Sequence, residues 1–430
     1  NVESKNLKGD VYMNTKLEFH GSDIEKVCEH YGLKKDDIVN FGANVNPLGL
    51  SEQVKKALAA HLDLLSSYPD RSYTSLRNIL STYCQIPADF ILPGNGSSEL
   101  ISLLIEERRP KHTMILGPTY SEYSRELGFS DSTIDCFYLK PEQDFQLSVE
   151  ELCLALAKKQ IDFLILCNPN NPTSSAIFHP ELIKLLEFCQ DHNIFVMIDE
   201  TYVEFAPDVD AVTAVPLTQN FQNLMVLRGV SKFFAAPGMR FGYGITGNAE
   251  FLKKLKSKQI PWSLNSLGAF AGELLFQDKD YIKKTRNLML SEREYMYTKL
   301  RELLFFLCLS GLCQLLLVQI QKDGLTSSDV FEACIREGLM IRDCSSFTGL
   351  DGEFVRFCIM DPEDNRRLLT VFQKFHNQPE NKYDLYTENF HHERKQHSMS
   401  TKHEMLLFLV YQFTLSSIFL NIDLHPYLRA

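Results

Sequence analysis

Short apolar runs alternate with amphipathic segments through residues 89–275, and this alternation constrains the fold more than any other feature of the sequence. It is typical of a parallel sheet with helices on both faces. Because open sheets of this kind bind ligands beyond the carboxyl ends of their strands, we expect ligand-binding and catalytic residues directly after each apolar run. The predicted strands are residues 90–92, 113–116, 133–138, 163–167, 195–198, 225–227 and 242–245. Before them, helical periodicity predicts helices at residues 24–31, 52–61 and 74–84.

The charge and cysteine content argue against several classes of protein. A formal net charge of −11 disfavours nucleic acid or an anionic membrane surface as the main partner, because such partners require clustered positive charge. The eleven cysteines include no C-x-x-C pair, which favours reduced thiols in the cytoplasm over a disulfide framework or a metal site. Residues 1–13 contain no apolar stretch of the secretory kind.

Residues 225–243 carry the strongest chemical signal. An apolar run is followed by Ser231 and Lys232, then by aromatic residues and by Arg240. Desolvation lowers the pKa of a lysine and leaves a neutral amine that can form a Schiff base with an aldehyde. An arginine eight residues later can bind a phosphate group. The combination suggests pyridoxal 5'-phosphate as the cofactor, and an ordinary surface lysine is the alternative.

Two other strand ends carry groups that suit a phosphorylated aromatic cofactor. Gly96, Ser97 and Ser98 follow the first predicted strand and lead into an apolar helix, whose N-terminus would offer N–H donors to a phosphate. Tyr120 stands in the loop after the second predicted strand, where its ring could stack on a flat ligand. A glycine-rich turn and a core aromatic residue are the structural alternatives.

The next strand ends add Asn171 and Asp199. Asn171 lies in a proline-rich turn with a restricted backbone, so its side-chain amide can donate in a fixed direction. Asp199 directly follows a buried run, and a buried carboxylate requires a cation such as a protonated pyridine nitrogen. A turn asparagine and a helix N-cap aspartate are the alternatives. With Lys232 and Arg240, these residues stand in the order required by a pyridoxal-phosphate enzyme of the aspartate aminotransferase fold.

His20, Gly21 and Ser22 directly precede the first predicted helix. Backbone N–H groups, a hydroxyl and an imidazole at a helix N-terminus could bind an anion. A capped helix start with an incidental histidine is the alternative.

From about residue 20 to residue 375 the chain resembles the fold-type-I pyridoxal-phosphate enzymes, in the branch that holds histidinol-phosphate aminotransferase and the threonine-phosphate decarboxylase of cobalamin biosynthesis. Residues 20–21, 41–49 and 260–265 are more similar to the decarboxylase. The resemblance implies an α/β, aspartate aminotransferase-like fold, with a mostly parallel sheet in a large domain and a smaller α+β C-terminal domain. The implied divisions are an N-terminal arm (1–50), the large domain (51–275), the small domain (276–375) and an unassigned tail (376–430).

The resemblance also implies a role for each candidate residue, in a homodimer with shared active sites. Lys232 would bind the cofactor aldehyde covalently, Asp199 would pair with the pyridine nitrogen, and Tyr120 would stack on the ring. The ring hydroxyl would accept or donate hydrogen bonds with Asn171 and Tyr202. The cofactor phosphate would be held by Gly96, Ser97, Ser98, Ser231, Arg240 and Tyr68 of the neighbouring subunit. The substrate would contact His20, Gly21, Asn44, Asn171, Arg342 and Arg356, the last through its α-carboxylate.

The sequence departs from this family at several positions. Gly229 stands where a phosphate-binding serine or threonine is usual, and Ser174 replaces a usual glycine. Gln314 stands where asparagine is common. The surrounding residues 303–318 are predicted as the opening strand of the small domain.

The tail contains 18 residues without a formal charge, Met405–Ile422. This length is at the threshold for a membrane span. Because polar residues interrupt the stretch, we expect a helix packed on the body or an appended segment, and no membrane anchor.

The resemblance implies decarboxylation of L-threonine O-3-phosphate to (R)-1-amino-2-propanol O-2-phosphate and carbon dioxide. The same residues would serve an aminotransferase, because the bond to the α-carbon that stands perpendicular to the cofactor ring is the one that breaks. Amino transfer from histidinol phosphate therefore stays open. Serine phosphate also stays open as the substrate, since it lacks only one methyl group. A non-catalytic regulator that binds the cofactor is a further alternative, although neither terminus carries a basic DNA-binding segment.

Overall fold

The computed structural model describes residues 23–376, so His20, Gly21 and residues 405–422 lie outside the described residues. Within the described range the strands are β1 (Val39–Asn40), β2 (Ile91–Gly94), β3 (His112–Gly117), β4 (Thr133–Tyr138), β5 (Phe163–Cys167), β6 (Phe195–Asp199), β7 (Leu224–Gly229), β8 (Gly242–Ile245), β9 (Phe306–Cys308), β10 (Leu315–Ile320), β11 (Leu339–Met340), β12 (Arg342–Asp343) and β13 (Phe354–Cys358). The helices are α1 (Ile24–Tyr31), α2 (Glu52–Ala60), α3 (Thr74–Cys84), α4 (Gly96–Arg108), α5 (Glu122–Leu127), α6 (Val149–Lys158), α7 (His179–Asp191), α8 (Ala249–Lys258), α9 (Ser266–Leu275), α10 (Lys279–Arg301), α11 (Ser327–Arg336) and α12 (Pro362–His376).

The large sheet has the strand order β2-β8-β7-β6-β5-β3-β4. The five strands from β7 to β4 are parallel, and β8 is antiparallel to both of its neighbours. All seven predicted strands are present, and the predicted mostly parallel sheet is confirmed. The strand β8 runs against the others because the connection from β7 contains no crossover helix, which a parallel return would require.

The centre of this sheet is buried along its whole length. The sequences of β5, β6 and β7 are FLILC, FVMID and LMVLRG, and every residue in them is buried. Near-continuous apolar runs are expected where helices cover both faces of a parallel sheet. In β6 the polar exception is Asp199 at the carboxyl end, so the strand places a carboxylate at the edge where ligands bind.

A second sheet, with the order β12-β13-β10-β9, is antiparallel. The prediction of one opening strand over residues 303–318 is wrong, because β9 and β10 are separate strands that pair with each other. The chain bends between them at residues 312–314, directly after Gly311, which packs so closely on Ser174 that a Cβ atom there would clash. The N-terminal strand β1 pairs with β11, and residues 39–40 therefore lie beside the C-terminal part of the chain. The domain boundaries at 50, 275 and 375 stay predictions.

Polar caps set where several helices begin. Ser148 accepts from the N–H of Glu151 (3.2 Å) at the start of α6, and Asn265 accepts from that of Gly268 (2.7 Å) at the start of α9. Such caps satisfy N–H groups that have no partner within the helix. The helices α1 and α3 have the predicted bounds, and α2 ends one residue before its predicted end.

The described residues bear on three expectations drawn from the whole sequence. All eleven cysteines lie among them and carry free thiols. In this part of the chain no helix combines the length and the apolar character needed to cross a bilayer. The same residues contain no cluster of His, Cys, Asp and Glu side chains suited to hold a metal ion.

Candidate active site

A cavity of about 240 Å³ lies at the carboxyl edge of the large sheet. Thirteen of the residues predicted to bind cofactor or substrate line it, although they come from distant parts of the sequence. These residues are Asn44, Gly96, Ser97, Ser98, Tyr120, Asn171, Asp199, Tyr202, Ser231, Lys232, Arg240, Arg342 and Arg356. Tyr68 does not line the cavity and is 81% exposed, with its ring packed against Trp262. Its predicted contact belongs to a second copy of the chain and stays a prediction.

Lys232 lies in the loop after β7, which ends at the carboxyl edge of the sheet. Its Nζ atom donates to the backbone oxygen of Ala43 at 2.7 Å. Burial, together with the nearby cations Arg356 and Arg240, lowers the pKa of Lys232 to about 8. A substantial fraction of the amine is therefore neutral at slightly alkaline pH and able to attack an aldehyde.

Asp199 is held by three hydrogen bonds. Its Oδ1 atom accepts from the backbone N–H of Thr201 (2.9 Å) and from the Thr201 hydroxyl (2.6 Å), while Oδ2 accepts from the Tyr123 hydroxyl (2.8 Å). Burial raises the pKa of Asp199, and these bonds oppose that effect. A carboxylate offers about four acceptor directions, so one direction at Oδ2 is left for a further donor. A cationic N–H group in the cavity would meet this need.

The N-terminus of α4 forms a cradle beside Arg240. Gly96 has a φ of +81°, and an added Cβ atom would lie 2.6 Å from Arg240 Nη2. A residue with a side chain would therefore be strained and would displace the guanidinium. Ser97 and Ser98 follow in the first turn, where N–H groups lack partners within the helix. This combination of helix N-terminus and arginine suits a phosphate group.

Arg356 connects the two sheets at the cavity. It lies in β13, is 3% exposed, and donates to the side-chain oxygen of Asn171 (2.6 Å) and to the backbone oxygen of Gly42 (2.7 Å). Its Nε atom has no hydrogen-bond partner among the described residues. Because a buried unpaired donor is unfavourable, this atom marks a place where a ligand acceptor would be stabilised.

Arg342, in strand β12, also lines the cavity. Its guanidinium stands 5.4 Å from the centre of the Phe347 ring and donates to the hydroxyl of Ser346 at 2.6 Å.

 The lining residues thus include four cations (Lys232, Arg240, Arg342 and Arg356) and one carboxylate, Asp199. This excess of positive charge favours ligands that carry several negative charges.

Two tyrosines complete the polar wall of the cavity. The Tyr202 hydroxyl accepts a hydrogen bond from the side-chain Nδ2 of Asn44 at 3.2 Å. The ring of Tyr120 meets that of Tyr123 edge to face, with 5.5 Å between ring centres. Burial raises the pKa of Tyr120 to about 12 and that of Tyr202 further, so both phenols keep their protons at neutral pH.

Several residues at the site were not predicted from the sequence. Tyr123 and Thr201 hold Asp199, and the backbone oxygens of Gly42 and Ala43 accept from Arg356 and Lys232. The D-x-T spacing of Asp199 and Thr201 is a recognisable turn signal, because an aspartate side chain often accepts from the N–H two residues later. The backbone acceptors have no signal in the sequence.

Comparison with known proteins places the chain in a family. The family model for aminotransferase class I and II matches residues 36–372. The chain is 31% identical to the threonine-phosphate decarboxylase of Salmonella typhimurium over 354 residues, which cover 82% of this chain and 95% of that protein. It is also 31% identical to the histidinol-phosphate aminotransferase of Methanothermobacter thermautotrophicus over 355 residues, which cover 82% and 92% of the two chains.

A solved structure gives the same result for the fold. The histidinol-phosphate aminotransferase of Clostridium acetobutylicum matches with a TM-score of 0.73 and 29% identity, over 78% of this chain and 98% of that chain. The predicted aspartate aminotransferase-like fold and the predicted resemblance are both confirmed. The chain therefore belongs to the class I and II aminotransferase family, whose enzymes depend on pyridoxal 5'-phosphate.

Proposed function

We propose that the chain is a pyridoxal-phosphate-dependent decarboxylase that converts L-threonine O-3-phosphate to (R)-1-amino-2-propanol O-2-phosphate and carbon dioxide, in cobalamin biosynthesis. The observation that carries this proposal is the charge of the cavity, which is lined by four cations and one carboxylate. A phosphorylated cofactor and a phosphorylated amino acid together supply the negative charge that such a site requires. The similarity to the Salmonella typhimurium decarboxylase supports the choice of reaction.

The residues of the cavity fit the cofactor. Gly96 leaves room beside Arg240, and we assign the cofactor phosphate to this cradle with Ser97, Ser98 and Ser231. Lys232 supplies the amine that binds the aldehyde. The open acceptor direction of Asp199 Oδ2 suits a protonated ring nitrogen, since a buried carboxylate is stabilised by a cation.

The remaining polar groups of the wall suit the ring and its substituents. We assign Tyr120 to the face of the ring, and Asn171 and Tyr202 to its hydroxyl. When bound, the cofactor supplies an electron sink for the bond that breaks at the substrate α-carbon. The contribution of Asp199 is to keep the ring nitrogen charged by holding a negative charge beside it.

The two arginines from the C-terminal part of the chain suit the substrate. Arg356 has an unpaired Nε donor in the cavity wall, and we assign the α-carboxylate to it. Arg342 has a planar guanidinium next to Phe347, and we assign the substrate phosphate to it. Asn44, and His20 with Gly21 from outside the described residues, are proposed to complete this end. The position in which Arg356 holds the carboxylate would decide which bond of the α-carbon breaks.

We also propose a cytoplasmic homodimer in which Tyr68 reaches the cofactor phosphate of the second copy. Tyr68 is 81% exposed, and its ring packs against the ring of Trp262, which is 40% exposed. Large apolar side chains near these two in the sequence are also exposed, namely Leu62 (56%), Leu65 (64%) and Ile260 (71%). Exposed apolar residues of this size are common where a second copy of a chain binds. Sedimentation equilibrium would give the mass of a dimer, and a monomer that is fully active would contradict the assignment of Tyr68.

Product analysis tests the proposed reaction. The protein is loaded with pyridoxal phosphate and given threonine phosphate, and carbon dioxide and the amino alcohol phosphate are measured. We expect both products from the wild type and neither from Lys232→Ala. Serine phosphate is the matched substrate, and because it lacks one methyl group we expect it to react with a kcat/KM lower by about tenfold to a hundredfold.

Amino transfer from histidinol phosphate is the second candidate function. The observation that favours it is the equal identity, 31%, of the Methanothermobacter thermautotrophicus aminotransferase. In the same assay, 2-oxoglutarate and histidinol phosphate would then give glutamate, while threonine phosphate would give no carbon dioxide. Cofactor binding without either product would instead support a regulator.

A further inference from the structure

A short segment, Gly42–Asn44, lines the cavity, and its three backbone carbonyl groups all accept hydrogen bonds. Each of its carbonyl groups accepts from a different side chain. The three bonds run from Arg356 Nη2 to Gly42 (2.7 Å), from Lys232 Nζ to Ala43 (2.7 Å) and from Gln314 Nε2 to Asn44 (3.2 Å). The segment is therefore held by side chains from three separate parts of the chain.

The three donors differ in whether they would keep these hydrogen bonds when a ligand binds. Under the proposed function, Lys232 turns to the cofactor and Arg356 to the substrate. Gln314 is neutral, 1% exposed and not among the residues that line the cavity. Its bond to Asn44 does not compete with a ligand and can persist when the other two change.

Asn44 gives the segment a sharp change of direction, in a backbone conformation that asparagine adopts more readily than most other residues with a side chain. Its φ of +60° lies in the left-handed region, which residues with a side chain adopt infrequently. Its side-chain Nδ2 donates to the Tyr202 hydroxyl at 3.2 Å. Because the amide is the donor in this bond, the hydroxyl hydrogen of Tyr202 is left to donate elsewhere. The orientation of Asn44 thus determines the direction in which Tyr202 can donate.

Gln314 is itself firmly placed. It directly precedes β10, and its backbone oxygen accepts from the N–H of Ile359 at 2.8 Å, just after the paired strand β13. Its side-chain Oε1 is buried and has no partner among the described residues. Burial of an unpaired acceptor is unfavourable, so an apolar residue would be preferred if the position served packing alone. An amide at this position is instead explained by the hydrogen bond that its N–H group donates to Asn44.

We propose that Gln314 is a positioning residue that holds Asn44, and through Asn44 directs the hydroxyl of Tyr202 toward the cofactor. The role at the cofactor rests on the proposed function, while the contact of Gln314 with Asn44 is a property of the chain alone. Two measurements test the contact of Gln314 with Asn44 and the role at the cofactor separately.

The first measurement needs no cofactor. Hydrogen–deuterium exchange is followed in a peptide that covers residues 41–46, for the wild type, Gln314→Leu and Gln319→Ala. Gln319 is the matched control, because it lies on β10, the strand that Gln314 directly precedes, but donates to Glu353 at 3.5 Å and not to the segment. We expect exchange to be faster by about twofold to tenfold in Gln314→Leu, as the loss of one hydrogen bond predicts, and unchanged in Gln319→Ala. Equal exchange in all three proteins would overturn the proposal.

The second measurement reports on Tyr202. The absorbance of pyridoxal phosphate bound to the protein is titrated with pH for the wild type, Gln314→Leu, Tyr202→Phe and the double variant. We expect Gln314→Leu to shift the titration, and to add no shift when Tyr202 is already phenylalanine, because both changes act through one hydroxyl. Additive shifts, or a lower Tm with an unchanged titration, would overturn the proposal in favour of a packing role. A wild type that binds no cofactor would refute the proposed function, and the exchange measurement would still decide the contact of Gln314 with Asn44.

Discussion

Replacement of Tyr123 by phenylalanine tests how the chain keeps Asp199 charged. The Tyr123 hydroxyl donates to Asp199 Oδ2 at 2.8 Å, and both side chains are buried. A hydrogen bond to a charged group contributes about 1.5–3 kcal/mol, which corresponds to a fall in kcat/KM of about tenfold to a hundredfold if the bond supports the reacting state. Phenylalanine keeps the ring and its edge-to-face contact with Tyr120, so packing is little changed.

The pH dependence of the same variant gives the sign of the effect. Tyr123 lowers the pKa of Asp199, against the rise that burial causes. Its removal raises that pKa, and because the ionised carboxylate is the active form, activity is lost at a higher pH as the solution is acidified. We expect the acidic limb of the kcat/KM profile to move to higher pH in Tyr123→Phe.

The assay follows the release of carbon dioxide from threonine phosphate and gives kcat/KM at pH values from about 5 to about 9. Tyr295→Phe is the control, since Tyr295 lies on α10 and is 36% exposed. We expect the control to match the wild type. An acidic limb and a kcat/KM that are unchanged in Tyr123→Phe would refute the assigned role of the hydrogen bond.

Three further predictions concern glycines and a buried acid. Gly96→Ala places a Cβ atom 2.6 Å from Arg240 Nη2 at a φ of +81°, and we expect a loss of stability of about 1–3 kcal/mol with weaker cofactor binding, measured by denaturant unfolding and by fluorescence titration. Gly229→Ser places its Cβ atom at an ordinary 3.6 Å from the nearest atom, and we expect unchanged stability and tighter cofactor binding in the same titration, because it adds a donor to the cavity wall. The Glu204 carboxylate is buried with no hydrogen-bond partner among residues 23–376, and burial raises its pKa to about 7. Because that folded-state pKa lies above the ordinary 4.5, wild-type stability falls as the pH rises from 4.5 through about 7, and we expect Glu204→Gln to remove this fall in denaturant unfolding.

The parallel sheet made part of the site predictable. Asn171, Asp199 and Lys232 each follow a strand, and the carboxyl ends of parallel strands meet at one edge, so sequence order alone indicates that these side chains converge. The apolar runs of β5, β6 and β7 are buried on both faces, which makes their positions plain in the sequence.

Other parts of the site depend on contacts that sequence periodicity does not encode. Arg342 and Arg356 lie on the second sheet, and their approach to the cavity was inferred from the family resemblance. The bond from Gln314 to Asn44 joins residues 270 positions apart, and its acceptor is a backbone oxygen that every residue carries. The turn between β9 and β10 was missed because the close contact of Gly311 with Ser174 is tertiary.

The claim that Lys232 binds the cofactor aldehyde is tested most directly by locating the covalent bond. The protein is incubated with pyridoxal phosphate, reduced with borohydride and digested, and the modified peptide is identified by mass spectrometry. We expect one phosphopyridoxyl group, on Lys232, which forms more rapidly as the pH rises through about 8 because the lysine then loses its proton. A modification spread over surface lysines, or an equal yield in Lys232→Ala, would contradict the claim.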